Sequence, residues 1–172
     1  MADRLALIDA EILRCRLLLR ANGGDDAWKE KLRQVVAAMN GLESQEWYVK
    51  FLKARLIDTA QKIACYDIGN ADLWKKTRSR LDRTVGVLEV FNEGSVAGGI
   101  FAPLHAGLVA GIGGYADWIA LASKEERVEK ICYILRCMGA AVQRMDDAAL
   151  TRALGANDLE QIHTVAEILQ SV

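Results

Sequence analysis

Val128, Ile131, Cys132, Leu135 and Met138 recur at steps of three and four residues. Only an α-helix puts such a set on one face. Ser123-Lys-Glu-Glu126 precedes them. The spacing lets the Ser123 oxygen and the Glu126 carboxylate each satisfy a backbone N–H that a helix start leaves without a partner. Gly139 lies near the end of this stretch, which runs from Glu129 to Val142. One face, one capping box and an uninterrupted three-to-four spacing constrain this segment to a long, half-buried helix.

The same punctuation recurs along the chain. Leu5, Ile8, Ile12, Cys15 and Leu19 form a stripe that stops at Asn22-Gly23-Gly24. Asp25 or Asp26 is placed to cap a second helix, in which Trp28, Leu32, Val35, Val36 and Met39 share a face up to Gly41. A third runs from Ser44 towards Gly69, with Tyr48, Leu52, Leu56 and Ile63 inward. Asn70 precedes a fourth, with Trp74, Leu81, Val85 and Leu88 inward, ending at Asn92-Glu93-Gly94. Beyond the Ser123 box, Asp146 or Asp147 is placed to cap a short helix to Leu154, and Asn157-Asp-Leu-Glu160 repeats the box pattern before Ile162, Val165 and Leu169. No segment alternates apolar and polar residues long enough to make strands. The expected fold is therefore all-α: about eight helices in one domain spanning residues 1–172, joined by short loops that favour antiparallel neighbours. Helical hairpins stacked into an α-α superhelix are the expectation, with a compact bundle as the alternative.

Residues 94–116 break the pattern. They hold seven of the fourteen glycines, the only proline (Pro103), His105 and no charge. Twenty-three uncharged residues are long enough to cross a bilayer. Yet the glycines contribute little transfer energy, and the pairs at 98–99 and 113–114 loosen a helix. The reading is a closely packed buried helix from about Val96 to Ala110, bent at Pro103, then a loop at 111–114 and a short helix through Trp118. Membrane insertion of this segment is the rival.

The charge balance is even, with 22 basic against 23 acidic residues, which argues against recruitment to nucleic acid by bulk charge. Locally it is uneven. Lys75, Lys76, Arg78, Arg80 and Arg83 face only Asp82 within nine residues, and Lys50, Lys53 and Arg55 extend this basic stretch. From Met145 onward, Asp146, Asp147, Asp158, Glu160 and Glu167 stand against Arg152. The basic set is either a solvated helix face or a surface for an acidic partner or RNA phosphates.

Of the four tryptophans, Trp28, Trp74 and Trp118 read as core. Trp47, near a helix start, is the one placed for exposure and hence for partner binding. Cys15, Cys65, Cys132 and Cys137 form no C-x-x-C pair, and there are only two histidines, so no metal or cofactor spacing appears. Buried, reduced thiols and a start that does not read as a secretory signal lead to the expectation of a cytoplasmic protein, with the nucleus as the alternative. His105 reads as a packed, hydrogen-bonded side chain, and His163 as solvent-facing or set against a neighbouring helix. A helical enzyme built around His105 is a third reading, but nothing selects a substrate for it.

Three segments, in order, resemble the middle domain of eukaryotic translation initiation factor 4G. Phe51-Leu-Lys-Ala-Arg-Leu-Ile-Asp-Thr-Ala-Gln-Lys62 is similar to a family helix that starts on an aromatic and ends near Gln-Lys. Val87-Leu-Glu-Val-Phe91, followed by Val96, Ile100 and Leu104, resembles the family's Ile-Gly-Glu-Leu-Phe helix and its successor. Glu129-x-Ile-Cys-x-Ile-Leu-x-x-x-Gly-x-x-Val142 resembles its Glu-x-Leu-Cys-x-Leu-Leu-x-x-x-Gly-x-x-Leu helix. The likeness covers residues 48–142. It implies a HEAT-like crescent with no chemistry and no cofactor of its own, which binds a DEAD-box RNA helicase, other initiation or RNA-processing factors and, in some members, RNA. It also implies translation initiation as the setting, with nonsense-mediated decay or splicing as alternatives of the same fold.

Overall fold

A computed structural model describes residues 26–94 and 99–172. Among these, eight helices follow one another: α1 (Ala27–Asn40), α2 (Trp47–Cys65), α3 (Ala71–Glu93), α4 (Ala102–Ile112), α5 (Tyr115–Ala120), α6 (Lys124–Gln143), α7 (Asp147–Ala153) and α8 (Ala156–Gln170). The fold is all-α and superhelix-like. The stripe from Leu5 to Leu19 lies outside the described residues.

The helix starts follow local chemistry. Asn70 accepts hydrogen bonds from the N–H groups of Asp72 and Leu73 and so opens α3. Ser123 and Glu126 form the full capping box at α6, at 3.0 and 3.1 Å. Asp146 caps α7 through the Ala148 N–H at 2.8 Å. Other expected starts differ. Asp26 stands before α1, but its carboxylate meets Lys29 at 3.5 Å and makes no capping bond. Asn157 lies inside α8, which starts after Gly155, so no second capping box forms. Helix α4 begins at Ala102 and not near Val96, because Pro103 occupies its first turn. A proline there loses no helical hydrogen bond and starts the helix without bending it. Residues 95–98 lie outside the described residues.

Leaving out the short α5 and α7, each helix packs on the next: α1 on α2, α2 on α3, α3 on α4, α4 on α6, and α6 on α8. Helices α2 and α3 are antiparallel, since Phe51 lies beside Phe91 while Asp58 lies beside Arg80. Helix α1 also packs on α8, so the run returns to its beginning. Two polar ties hold that return. The Glu43 N–H donates to the Asp158 carboxylate at 2.5 Å, and the Asn157 side-chain amide donates to the Gly41 carbonyl at 3.3 Å. Asp158 is only 3% exposed, so this member of the acidic C-terminal set is a structural acceptor.

The core runs through the middle. Trp28, Leu88, Leu108, Ile131, Ile134 and Leu150 are fully buried. Each such side chain contributes about 1.5–3 kcal/mol of burial free energy. Thr59 and Thr84 face each other across α2 and α3 with their oxygens 2.9 Å apart, and each also lies within hydrogen-bond distance of the carbonyl four residues earlier, so each of the two hydroxyl protons has an acceptor inside the core. Six helices surround a cavity of about 120 Å³, with Met39, Leu52, Leu81, Leu108, Leu135 and Val165 among its walls. No helix of the described residues is long and apolar enough to cross a membrane.

Candidate docking surface

The expected basic stretch divides in two. Arg78 lies with its Nε 3.0 Å from both carboxylate oxygens of Asp82, and its guanidinium sits over the Trp118 ring at 5.0 Å. Arg80 meets Asp58 at 2.6 Å, and Arg55 approaches the same carboxylate at 3.8 Å. Lys53 donates to the carbonyls of Asn40 and Leu42 at 3.0 and 2.8 Å, closing the end of α1. These four cations serve intramolecular contacts. Lys50, Lys75, Lys76 and Arg83 are exposed and make no ion pair among the described residues. They do not form one patch. The antiparallel pairing puts Lys50 at the Phe91 end of α3, about 22 Å along the helix from Lys76.

Trp47 is 61% exposed, against 1–5% for Trp28, Trp74 and Trp118. It belongs to a cluster that the sequence reading did not assemble. Its ring lies 6.0 Å from Phe91 and 6.0 Å from Tyr48. Phe51 lies 5.9 Å from Phe91, and Phe91 and Tyr48 both reach Phe101, at 6.3 and 6.5 Å. Phe91 and Phe101 are buried, whereas Phe51 is 53% and Val90 68% exposed. The arrangement has two layers: a buried aromatic base of Phe91 and Phe101 beside the exposed rings of Trp47 and Phe51. Lys50 and Glu46, both exposed, border it. Desolvation, then the nearby Glu46 carboxylate, raise the Tyr48 phenol above its ordinary value of 10.0.

Phe51 and Trp47 were legible as a pair. They stand four residues apart and off the inward stripe of Tyr48, Leu52, Leu56 and Ile63, so both belong to an outer face. Val90 and Phe91 were not, because nothing local shows that the end of α3 meets the start of α2.

A second group surrounds Trp118. Its ring stacks on Trp74 with centroids 4.2 Å apart, its indole N–H donates to the Ile112 carbonyl at 2.7 Å, and the Trp74 N–H donates to the Trp118 carbonyl at 3.2 Å. Lys130 lies 6.0 Å from the same ring and 5.8 Å from that of Tyr133. Burial pushes the Lys130 amine below its ordinary 10.5, opposed by Asp117 and Cys137 and assisted by Arg78.

The remaining candidates are dispersed. His105 is half-buried, and its buried Nε2 has no hydrogen-bond partner, contrary to the expectation of a satisfied ring. His163 lies 3.5 Å from Asp147. Cys132 is buried and Cys137 half-buried, but Cys65 is exposed, because it ends α2 on the outer side; Cys15 lies outside the described residues. No group of three or more His, Cys, Asp or Glu side chains able to hold a metal occurs among the described residues. No family model, curated protein or solved structure matches the chain.

Proposed function

We propose that this chain is a non-enzymatic helical scaffold that docks a protein partner through the aromatic end of α2 and α3. The supporting observation is Trp47, which is 61% exposed yet held between Phe91 and Tyr48. A rigid aromatic with little entropy to lose is the kind of residue that carries interface energy. Phe51 and Val90 widen it into an exposed apolar surface, and Lys50 borders it.

The partner class comes from the family resemblance: a DEAD-box RNA helicase, in translation initiation or another step of RNA metabolism. A scaffold acts on such a two-lobed partner by binding one arrangement of the lobes better than the other. RNA contact would fall to Lys75, Lys76 and Arg83, away from the aromatic end. The test is a low-salt pull-down of purified DEAD-box helicases on the immobilised chain, beside Trp47→Ala. Helicase retention that falls at least tenfold with Trp47→Ala supports the reading. A folded chain that retains no helicase sinks it.

A second reading is favoured by the surface of α4 and α5, where Val109, Tyr115 and Ile119 are 46%, 64% and 66% exposed and Asp117 is the one charged residue. There the bundle engages a lipid surface through the glycine-rich segment. Co-sedimentation with vesicles, lost on Ile119→Glu and kept by Trp47→Ala, would select this reading over the first.

A further inference from the structure

We infer that the aromatic end of α2 and α3 takes a cationic amphipathic helix of a partner protein, its apolar stripe on Trp47 and Phe51 and its lysine or arginine side chains on Glu46, Glu89 and Glu93. The inference rests on the docking function proposed above and names the chemistry of the partner segment. Trp47 and Phe51 stand four residues apart on α2 and are 61% and 53% exposed. They form a ridge one helical turn long. Phe91 lies 6.0 Å from Trp47 and 5.9 Å from Phe51, and its neighbour Val90 on α3 is 68% exposed. A ridge of residues four apart packs into the groove between the matching rows of a second helix. That selects a helical partner segment with apolar anchors at the same spacing.

The charge around the ridge sets the sign of the partner. Within three residues of Trp47, Phe51 and Val90, the exposed charged side chains are Glu46, Lys50, Glu89 and Glu93. Lys53 falls in the same span, but it is half-buried and donates to the carbonyls of Asn40 and Leu42. Three carboxylates therefore stand against the Lys50 ammonium, and none of the three makes an ion pair among the described residues. Glu46 is near enough to act on the Tyr48 phenol, second to desolvation. The other exposed cations are remote. Arg83 lies two turns down α3 from Val90, about 10 Å, and Lys76 about 21 Å. Both distances exceed the Debye length of about 8 Å at physiological salt. A helix with lysine or arginine flanking its apolar stripe meets carboxylates here. An acidic helix meets like charge and is turned away.

The test is fluorescence anisotropy of the full chain with two hydrocarbon-stapled helices of about 18 residues. Both carry leucines four residues apart; one has lysine and the other glutamate at every flanking position. Saturable 1:1 binding of the lysine helix is expected, about tenfold tighter than the glutamate helix, the ratio that three exposed charge pairs supply. Added salt should narrow that ratio. Trp47→Ala should weaken the lysine helix about tenfold. The double variant Glu89→Lys with Glu93→Lys changes only exposed positions and should shift the preference towards the glutamate helix. Equal binding of both helices, or no binding of either by the folded chain, overturns the inference. Lysine-helix binding that survives Trp47→Ala overturns it too, because charge alone then accounts for the attraction. Trp47-dependent self-association, or Trp47-dependent binding to phosphatidylcholine vesicles, without helix binding, assigns the ridge to a second copy or to a membrane instead. Failure here is distinct from failure of the docking function. A helicase retained through Trp47 and not displaced by the lysine helix keeps that function and removes this partner chemistry. Trp47-dependent binding of the lysine helix with no helicase retained removes the helicase and keeps the cationic partner.

Discussion

A β-carbon on Gly107 would lie 2.7 Å from the carbonyl oxygen of Cys137, so α4 and α6 approach backbone to backbone at that point. Gly111 repeats the approach one turn on, 3.0 Å from the Ile134 Cα. These glycines are the reason the uncharged segment packs as it does. Gly107→Ala must push the two helices apart, because the obstacles are the Ala141 Cβ at 2.5 Å and the Cys137 main chain, neither of which can rotate away. It should cost about 1–3 kcal/mol and lower Tm by several degrees. Gly86 is the internal control. It sits within α3 with nothing within 4 Å of its would-be Cβ. Gly86→Ala should stabilise by about 0.5–1 kcal/mol through helix propensity and chain entropy. Thermal melts of the two variants, moving in opposite directions, check the assignment.

Asp158 is buried and accepts the Glu43 N–H, joining the α1–α2 loop to the start of α8. Asp158→Ala leaves that donor without its partner and should cost about 1–3 kcal/mol. Hydrogen exchange localises the effect. Protection should fall at Glu43 and in the first turns of α8 more than in α3. Equal loss across the whole chain would mean that the tie is not what holds α1 against α8.

The α6 capping box makes a pH-dependent prediction. The Ser123 backbone N–H, then its hydroxyl, hold the Glu126 carboxyl below its ordinary 4.5. The folded chain thus binds that proton more weakly than the unfolded chain. The contribution is fully present above the unfolded value and is lost as pH falls through the folded value. Glu126→Gln should therefore lower Tm at pH 7, with the difference shrinking below pH 4.5 and closing at lower pH. Ser123→Ala, which removes the side-chain acceptor, should cost about 1 kcal/mol at neutral pH. Melts from pH 7 downward, for the unaltered chain and both variants, read the two effects separately.

The elements were legible where a stripe and a cap agree. Asn70 before Trp74 and Ser123 before Val128 each fix a start and a buried face. Reading failed where a side chain chose a distant partner over a local one. Asp158 serves Glu43, 115 residues away, and Asn157 serves Gly41, so the apparent second box is a tertiary contact. Pro103 was read as a bend because its place in the chain does not show where the helix begins. The basic stretch was legible as charge but not as surface. Whether Arg80 is free depends on Asp58, which lies on another helix. The return of α8 to α1 left no local trace, because packing order is decided by which faces meet and not by any one face.

Trp47 and Trp118 divide docking from stability. Trp118 is 3% exposed, stacked on Trp74 and hydrogen-bonded to the Ile112 carbonyl. Trp118→Ala opens a cavity and removes a donor that the carbonyl needs, so it should cost about 3–5 kcal/mol. Trp47 is 61% exposed, with its ring centroid 6.0 Å from those of Phe91 and Tyr48. Trp47→Ala should cost about 1 kcal/mol or less, the worth of an aromatic pair at the surface. Urea melts measure both. The m-value should be unchanged in Trp47→Ala, because the surface exposed on unfolding is nearly the same. A Trp47→Ala chain that unfolds as readily as Trp118→Ala would show that the outer aromatic layer is part of the core. The exposed ring would then have no claim to be an interface. If stability holds and partner retention is lost, Trp47 acts at a surface, and the buried base of Phe91 and Phe101 is what presents it.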